Sequence, residues 1–115
     1  MEGRTVFDRI ISGEAPADIV YENEDVLAFR DINPQAPIHV LVVPKRRIDR
    51  FEKLADRDPA ESSRFILGVT EVVRKLELQA EGYRIVINSG RNGQQSVDYL
   101  HAHILGGRQM SWPPG

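Results

Sequence analysis

The chain contains no cysteine. Disulfide frameworks and thiolate metal sites are therefore excluded, and a reducing compartment suits the composition. Long apolar runs are absent too. The most apolar stretches, around Val40–Val43 and Ile104–Leu105, fall far short of the about 20 residues that span a bilayer. The opening residues lead into an amphipathic stretch and not into the apolar core of a signal peptide. We therefore expect a cytoplasmic protein with no membrane partner. With a net charge of −2 and both signs interspersed, no basic field points to a nucleic-acid polymer. There is no repeat, linker or low-complexity segment, no P-loop and no dinucleotide-binding fingerprint.

What remains is globular: 115 residues, 41% apolar and 28% charged, the size of a single domain over residues 1–115. Val6, Phe7, Ile10 and Ile11 share one face of a short helix over Thr5–Ser12, and Gly13 stops it. Ile19–Glu22 and Val26–Arg30 read as strands joined by a turn at Asn23-Glu24-Asp25. Asp31–Pro37 carries two prolines and reads as a loop. His39–Val43 is a central strand closed by Pro44. The clearest helix begins at Asp58 as cap, with Pro59 in the first position and Glu61 placed for a capping box. Phe65, Val69, Val72 and Leu76 mark its buried face, and Gly82 lies beyond its end. Tyr83–Asn88 and Leu100–Leu105 read as strands around a polar turn, Ser89–Gln95. The order of elements indicates an α+β fold with an antiparallel sheet.

Chemistry concentrates in three histidines, His39, His101 and His103, all on predicted strands. Period-two alternation sends His101 and His103 to one face, and Tyr99 with them if the strand starts early. Leu100, Ala102 and Ile104 then face a helix-covered core. Two adjacent imidazoles resist joint protonation, which keeps at least one neutral near pH 7. A neutral imidazole is a nucleophile toward phosphorus, and a charged neighbour would hold the phosphate or protonate a leaving group. The loop from Asn88 to Ser96 is small and polar, with glycines that let main-chain amides approach a phosphate. The histidine spacing alone serves a three-His zinc site (His39, His101, His103) as well as it serves phosphorus chemistry. Judged singly, Asn88, Ser96 and Asp31 are turn residues, and Trp112 is an apolar cap on the tail.

The segment Tyr99-Leu100-His101-Ala102-His103-Ile104-Leu105 resembles the His-φ-His-φ-His-φ-φ signature of the histidine triad (HIT) family. Phe7-Asp8-Arg9-Ile10-Ile11, Ala28–His39, Tyr83–Asn88 and the tail Leu105–Gly115 extend the resemblance to its nucleotide-binding (HINT) branch over nearly the whole chain. The resemblance implies a five-stranded antiparallel sheet with two helices, pairing into a ten-stranded sheet in a homodimer. It implies a purine nucleoside phosphoramidase, a hydrolase that cleaves P–N or mixed-anhydride bonds of nucleoside monophosphate derivatives without metal or cofactor. His101 is then the nucleophile that forms a nucleotidyl-histidine intermediate. His103 contacts phosphate and leaving group, His39 supports the site, and Ser96 assists the leaving amine. Asp31 binds the ribose, and Phe7, Phe29 and Ile32 wall the base. Asn88, Gln95, Ser96 and Val97 surround the phosphate, and Trp112 reaches the neighbouring subunit's site. Two departures stand out: Tyr99 replaces the first histidine, and Gln94 replaces a usual glycine. Tyr99 motivates the alternative of a nucleotide-binding regulatory or interaction protein with weak or lost catalysis.

Overall fold

A computed structural model describes residues 3–115. In chain order the elements are α1 (Val6–Ser12), β1 (Ile19–Glu22), β2 (Val26–Arg30), β3 (Ile38–Pro44), a 3-10 helix (Phe51–Asp56), α2 (Pro59–Lys75), β4 (Tyr83–Val86) and β5 (Ala102–Gly106). The strands form one sheet in the order β1-β2-β3-β5-β4, every neighbouring pair antiparallel. This is the α+β architecture expected, with the 3-10 helix added to the two α-helices.

Both faces of the sheet are covered, which is why β2 and β3 show no polar alternation. Even-numbered residues Val26, Ala28, Val40, Val42, Ala102 and Ile104 pack under α2 with Phe65, Val69, Val72 and Val73. Odd-numbered Leu27, Phe29, Leu41 and Val43 form the opposite cluster with Phe7 and Tyr99. Each valine, leucine, isoleucine or phenylalanine buried in this way contributes about 1.5–3 kcal/mol. Phe29 pairs with Leu41, and Leu41 with His103, so one row across three strands carries an imidazole on the α1 face.

α1 is too short to persist alone. Its ends are tied instead: Asp8 N–H donates to Thr5 Oγ1 at 3.2 Å, and Thr5 N–H to Asp8 Oδ2 at 2.7 Å, a complete capping box. Gly13 closes it in the left-handed region at φ 85°. Asp58 caps α2 by accepting from Ala60 N–H at 2.9 Å. Glu61 does not complete the expected box. Its carboxylate lies 3.0 Å from Arg57 and 3.3 Å from Arg46, partners that outcompete a cap amide. α2 also ends well before Gly82. Glu77 adopts φ 56°, and the following turn brings Leu78 into the core against Gly106.

Candidate active site

β5 begins two residues later than predicted, at Ala102, so His101 stands just ahead of the strand and His103 on it. β4 likewise stops at Val86, short of Asn88. The chain between them bends because Gly90 takes φ 73° and Gln94 takes φ 59°. Gln94 thus adopts the left-handed conformation that glycine favours, at a cost of about 1 kcal/mol. A Cβ on Gly93 would stand 2.7 Å from the Ser89 carbonyl oxygen, so that turn closes only on a glycine.

The rings of His101 and His103 lie 5.0 Å apart, and those of His39 and His103 5.2 Å apart. Their hydrogen bonds assign the protons. His101 Nδ1 lies 2.7 Å from the Tyr99 carbonyl oxygen. A carbonyl only accepts, so Nδ1 carries the hydrogen and Nε2 keeps its lone pair. Gln35 N–H donates to His39 Nδ1 at 3.0 Å, which puts the His39 proton on Nε2. That Nε2–H in turn donates to His103 Nδ1 at 2.9 Å, leaving His103 with a donor at Nε2. Asp31 Oδ2 stands 3.4 Å from His39 Nε2, and its Oδ1 accepts from Asn33 N–H at 2.8 Å.

Burial pushes His103 down to about 4, with the neighbouring His101 and His39 adding to the effect against Asp31. Burial lowers His39 as well, opposed by Asp31. His103 is therefore neutral at pH 7 and does not supply the charged neighbour considered above for the phosphate. Tyr99 is also not a titrating member of the site, because burial raises its phenol above the ordinary range.

His101 and His103 line a cavity of about 380 Å³ together with Phe7, Phe29, Asp31, Ile32, Ser96 and Val97. Phe7 sits edge-on to His101, Phe29 and Tyr99, at 5.0, 5.6 and 6.0 Å between centroids. Ile32 is fully exposed at the rim. Other sequence-predicted site residues lie off this wall. His39 is behind it, in contact through His103. Gln95 braces the loop, with Nε2 donating to the Asp49 and Val97 carbonyls at 2.6 and 3.0 Å. Asn88 does not reach the cavity, and Trp112 is exposed under the Arg84 guanidinium. Val6, Ile10, Pro16, Ala17 and Leu41 complete the apolar wall and were not foreseen, since each reads as ordinary core or turn. Among the described residues, the potential ligand atoms that cluster within 4.8 Å belong to Asp31, His39 and His103, not to the three histidines.

The HIT domain family model matches residues 12–110. A 14 kDa zinc-binding protein of Zea mays is 53% identical over 113 residues, covering 96% of this chain and 88% of its own. Adenylylsulfatase HINT1 of Arabidopsis thaliana is 50% identical over 113 residues, covering 96% of this chain and 76% of its own. The crystal structure of a HIT family hydrolase from Legionella pneumophila superposes with a TM-score of 0.91 at 41% identity, covering 97% of this chain and 100% of that one. The chain belongs to the HIT domain family.

Proposed function

We propose that this protein is a hydrolase of purine nucleoside monophosphate derivatives, cleaving P–N or mixed-anhydride bonds through a nucleotidyl-His101 intermediate. The observation that carries this reading is the 2.7 Å contact of His101 Nδ1 with the Tyr99 carbonyl, which reserves the Nε2 lone pair for phosphorus. Nε2 attacks, the bond from phosphorus to the leaving group breaks, and the leaving amine takes a proton with help from His103 Nε2–H or Ser96. The imidazolium of the intermediate keeps its Nδ1–H on the Tyr99 carbonyl. Water then attacks phosphorus, returns its proton to the group that protonated the amine, and releases the nucleoside monophosphate with the His101 Nε2 lone pair restored. His103 Nε2–H and the amides near Ser96 and Val97 offset charge on the phosphoryl oxygens. Phe7, Phe29 and Ile32 hold the base, and Asp31 takes the ribose hydroxyls. The name of the Arabidopsis relative, an adenylylsulfatase, supports the mixed-anhydride side of this reading.

His101→Ala tests it. Turnover of an adenosine phosphoramidate is expected to fall about 10³-fold or more while adenosine monophosphate still binds by calorimetry. Turnover at the normal rate would refute the nucleophile.

The Zea mays relative is named for zinc. Here Asp31, His39 and His103 do not fit a metal, because Gln35 N–H occupies His39 Nδ1 and the proton on His39 Nε2 occupies His103 Nδ1. Activity is expected to be unchanged after exhaustive chelation. The alternative of a nucleotide-binding regulatory or interaction protein with weak or lost catalysis rests on Tyr99. The group that orients His101 is a main-chain carbonyl and not an imidazole, so a tyrosine at position 99 does not favour that alternative.

We also propose a homodimer paired through β4. Its outer edge has no strand partner among the described residues, and Tyr83 and Ile85 are exposed along it. Arg84 Nη2 donates to the Ser111 carbonyl at 2.9 Å, which brings the Trp112 tail to the same edge, where it would meet the neighbouring subunit.

A further inference from the structure

The stretch from Gln95 to Leu100 carries the carbonyl on which His101 rests, yet it belongs to no helix or strand. Its shape is imposed by Pro44–Asp49, the segment that leaves β3. Leu100 N–H donates to the Ile48 carbonyl at 2.6 Å. Gln95 Nε2 donates to the Asp49 carbonyl at 2.6 Å, and Arg47 Nη2 to the Asp98 carbonyl at 2.9 Å. The Tyr99 phenol donates to the Pro44 carbonyl. Arg47 is itself held by Asp8 at 3.0 Å and Asp49 at 2.8 Å, with its guanidinium carbon 5.7 Å from the centre of the Tyr99 ring.

These bonds converge on one peptide plane. The unit joining Tyr99 to Leu100 offers its N–H to Ile48 and its C=O to His101 Nδ1. A planar peptide cannot turn one group without the other. It could still tilt as a body if the Tyr99 side chain were free. That side chain is 1% exposed, pinned at its far end on Pro44, covered by Arg47 and set edge-on to Phe7, which in turn abuts His101.

We propose that Tyr99 and Arg47 are positioning residues for His101: the phenol anchored on Pro44 and the guanidinium above it fix the Tyr99 carbonyl in the direction that keeps the proton on His101 Nδ1. The proposal rests on the reading of His101 as nucleophile. A phenol at position 99 is then an anchor in its own right and not a lost imidazole. It acts through hydrogen bonding and packing, and its own titration plays no part.

The test uses Tyr99→Phe, which keeps the ring and removes the hydroxyl, and Arg47→Lys, which keeps the charge and removes the fork. Both kcat and KM are measured on an adenosine phosphoramidate. Independently, the ¹⁵N shifts of the His101 ring are recorded in the ligand-free protein. We expect kcat to fall about tenfold in each variant with KM within about twofold, since small misplacement of a reacting group acts on rate. The His101 ring should move from a pure Nδ1–H tautomer to a mixture. Wild-type kcat with an unchanged Nδ1–H tautomer in both variants would overturn the proposal. If Tyr99→Phe does not fold, Arg47→Lys decides by the same two readings. If His101→Ala retains full turnover, the nucleophile reading falls, and the nitrogen shifts still judge the positioning separately.

Discussion

His103 shows how burial and neighbouring groups set a protonation state. Its folded value near 4 lies below the ordinary 6.5, so between those values the unfolded chain binds a proton that the native chain refuses. Stability contributed by the neutral ring is present in full above about pH 6.5 and is lost as pH falls toward 4. The lowered His39 acts in the same direction. Thermal melts should show the transition temperature dropping across this window, and His103→Gln should flatten the profile there. An unaltered profile in that variant would mean that the ring titrates normally. The carboxylates of Asp8, Glu14 and Glu52, all held below their usual values, lose their contributions below about pH 4.5, so the span from 6.5 to 4.5 reports the histidines.

Among the elements, α2 depends on a close approach. A Cβ on Gly68 would stand 2.8 Å from both Val26 methyl carbons, and Val26 is fully buried and stiff at χ1. Gly68→Ala gains up to about 1 kcal/mol of helix propensity but forces overpacking that costs about 1–3 kcal/mol. The net expectation is destabilisation by about 1 kcal/mol, read as a lower urea midpoint at unchanged slope. A raised midpoint would show that α2 can lift away from β2 freely. β4 has the opposite character. It is short and lies at the sheet's edge, with exposed Tyr83 and Ile85, and isolated it would invite indiscriminate pairing.

For the whole molecule, that edge becomes a prediction about assembly. Pairing of two β4 strands would extend the sheet and cover the exposed residues along it. Light scattering should give twice the mass of the 13.0 kDa chain, and Ile85→Lys, which places like charges across the two-fold axis, should shift the mass toward the monomer. A wild-type monomer at all accessible concentrations would rule the pairing out. The two packed faces also divide the labour of the fold. The α2 face is almost wholly apolar and holds the sheet. The α1 face places aromatic and aliphatic side chains beside the histidines, where the cavity opens.

Local sequence determined much of this. Thr5 and Gly13 bound α1, Asp58 and Pro59 start α2, and the bounds of β1 and β2 follow from their turn residues, because caps and turns depend on nearest neighbours. The common face of His101 and His103 follows from alternation alone, even though His101 lies just outside the strand. Only tertiary structure decided where α2 ends, that Glu61 answers two arginines and not its cap, and that Asn88, Gln95 and Trp112 lie away from the cavity wall. It also decided the protons. The tautomers of His39 and His101 are set by main-chain groups of Gln35 and Tyr99, and the Tyr99 peptide is held by Pro44 and Ile48. A carbonyl or an amide has the same chemistry in nearly every residue, so side-chain identities do not encode where it points. That direction exists only once distant segments have packed.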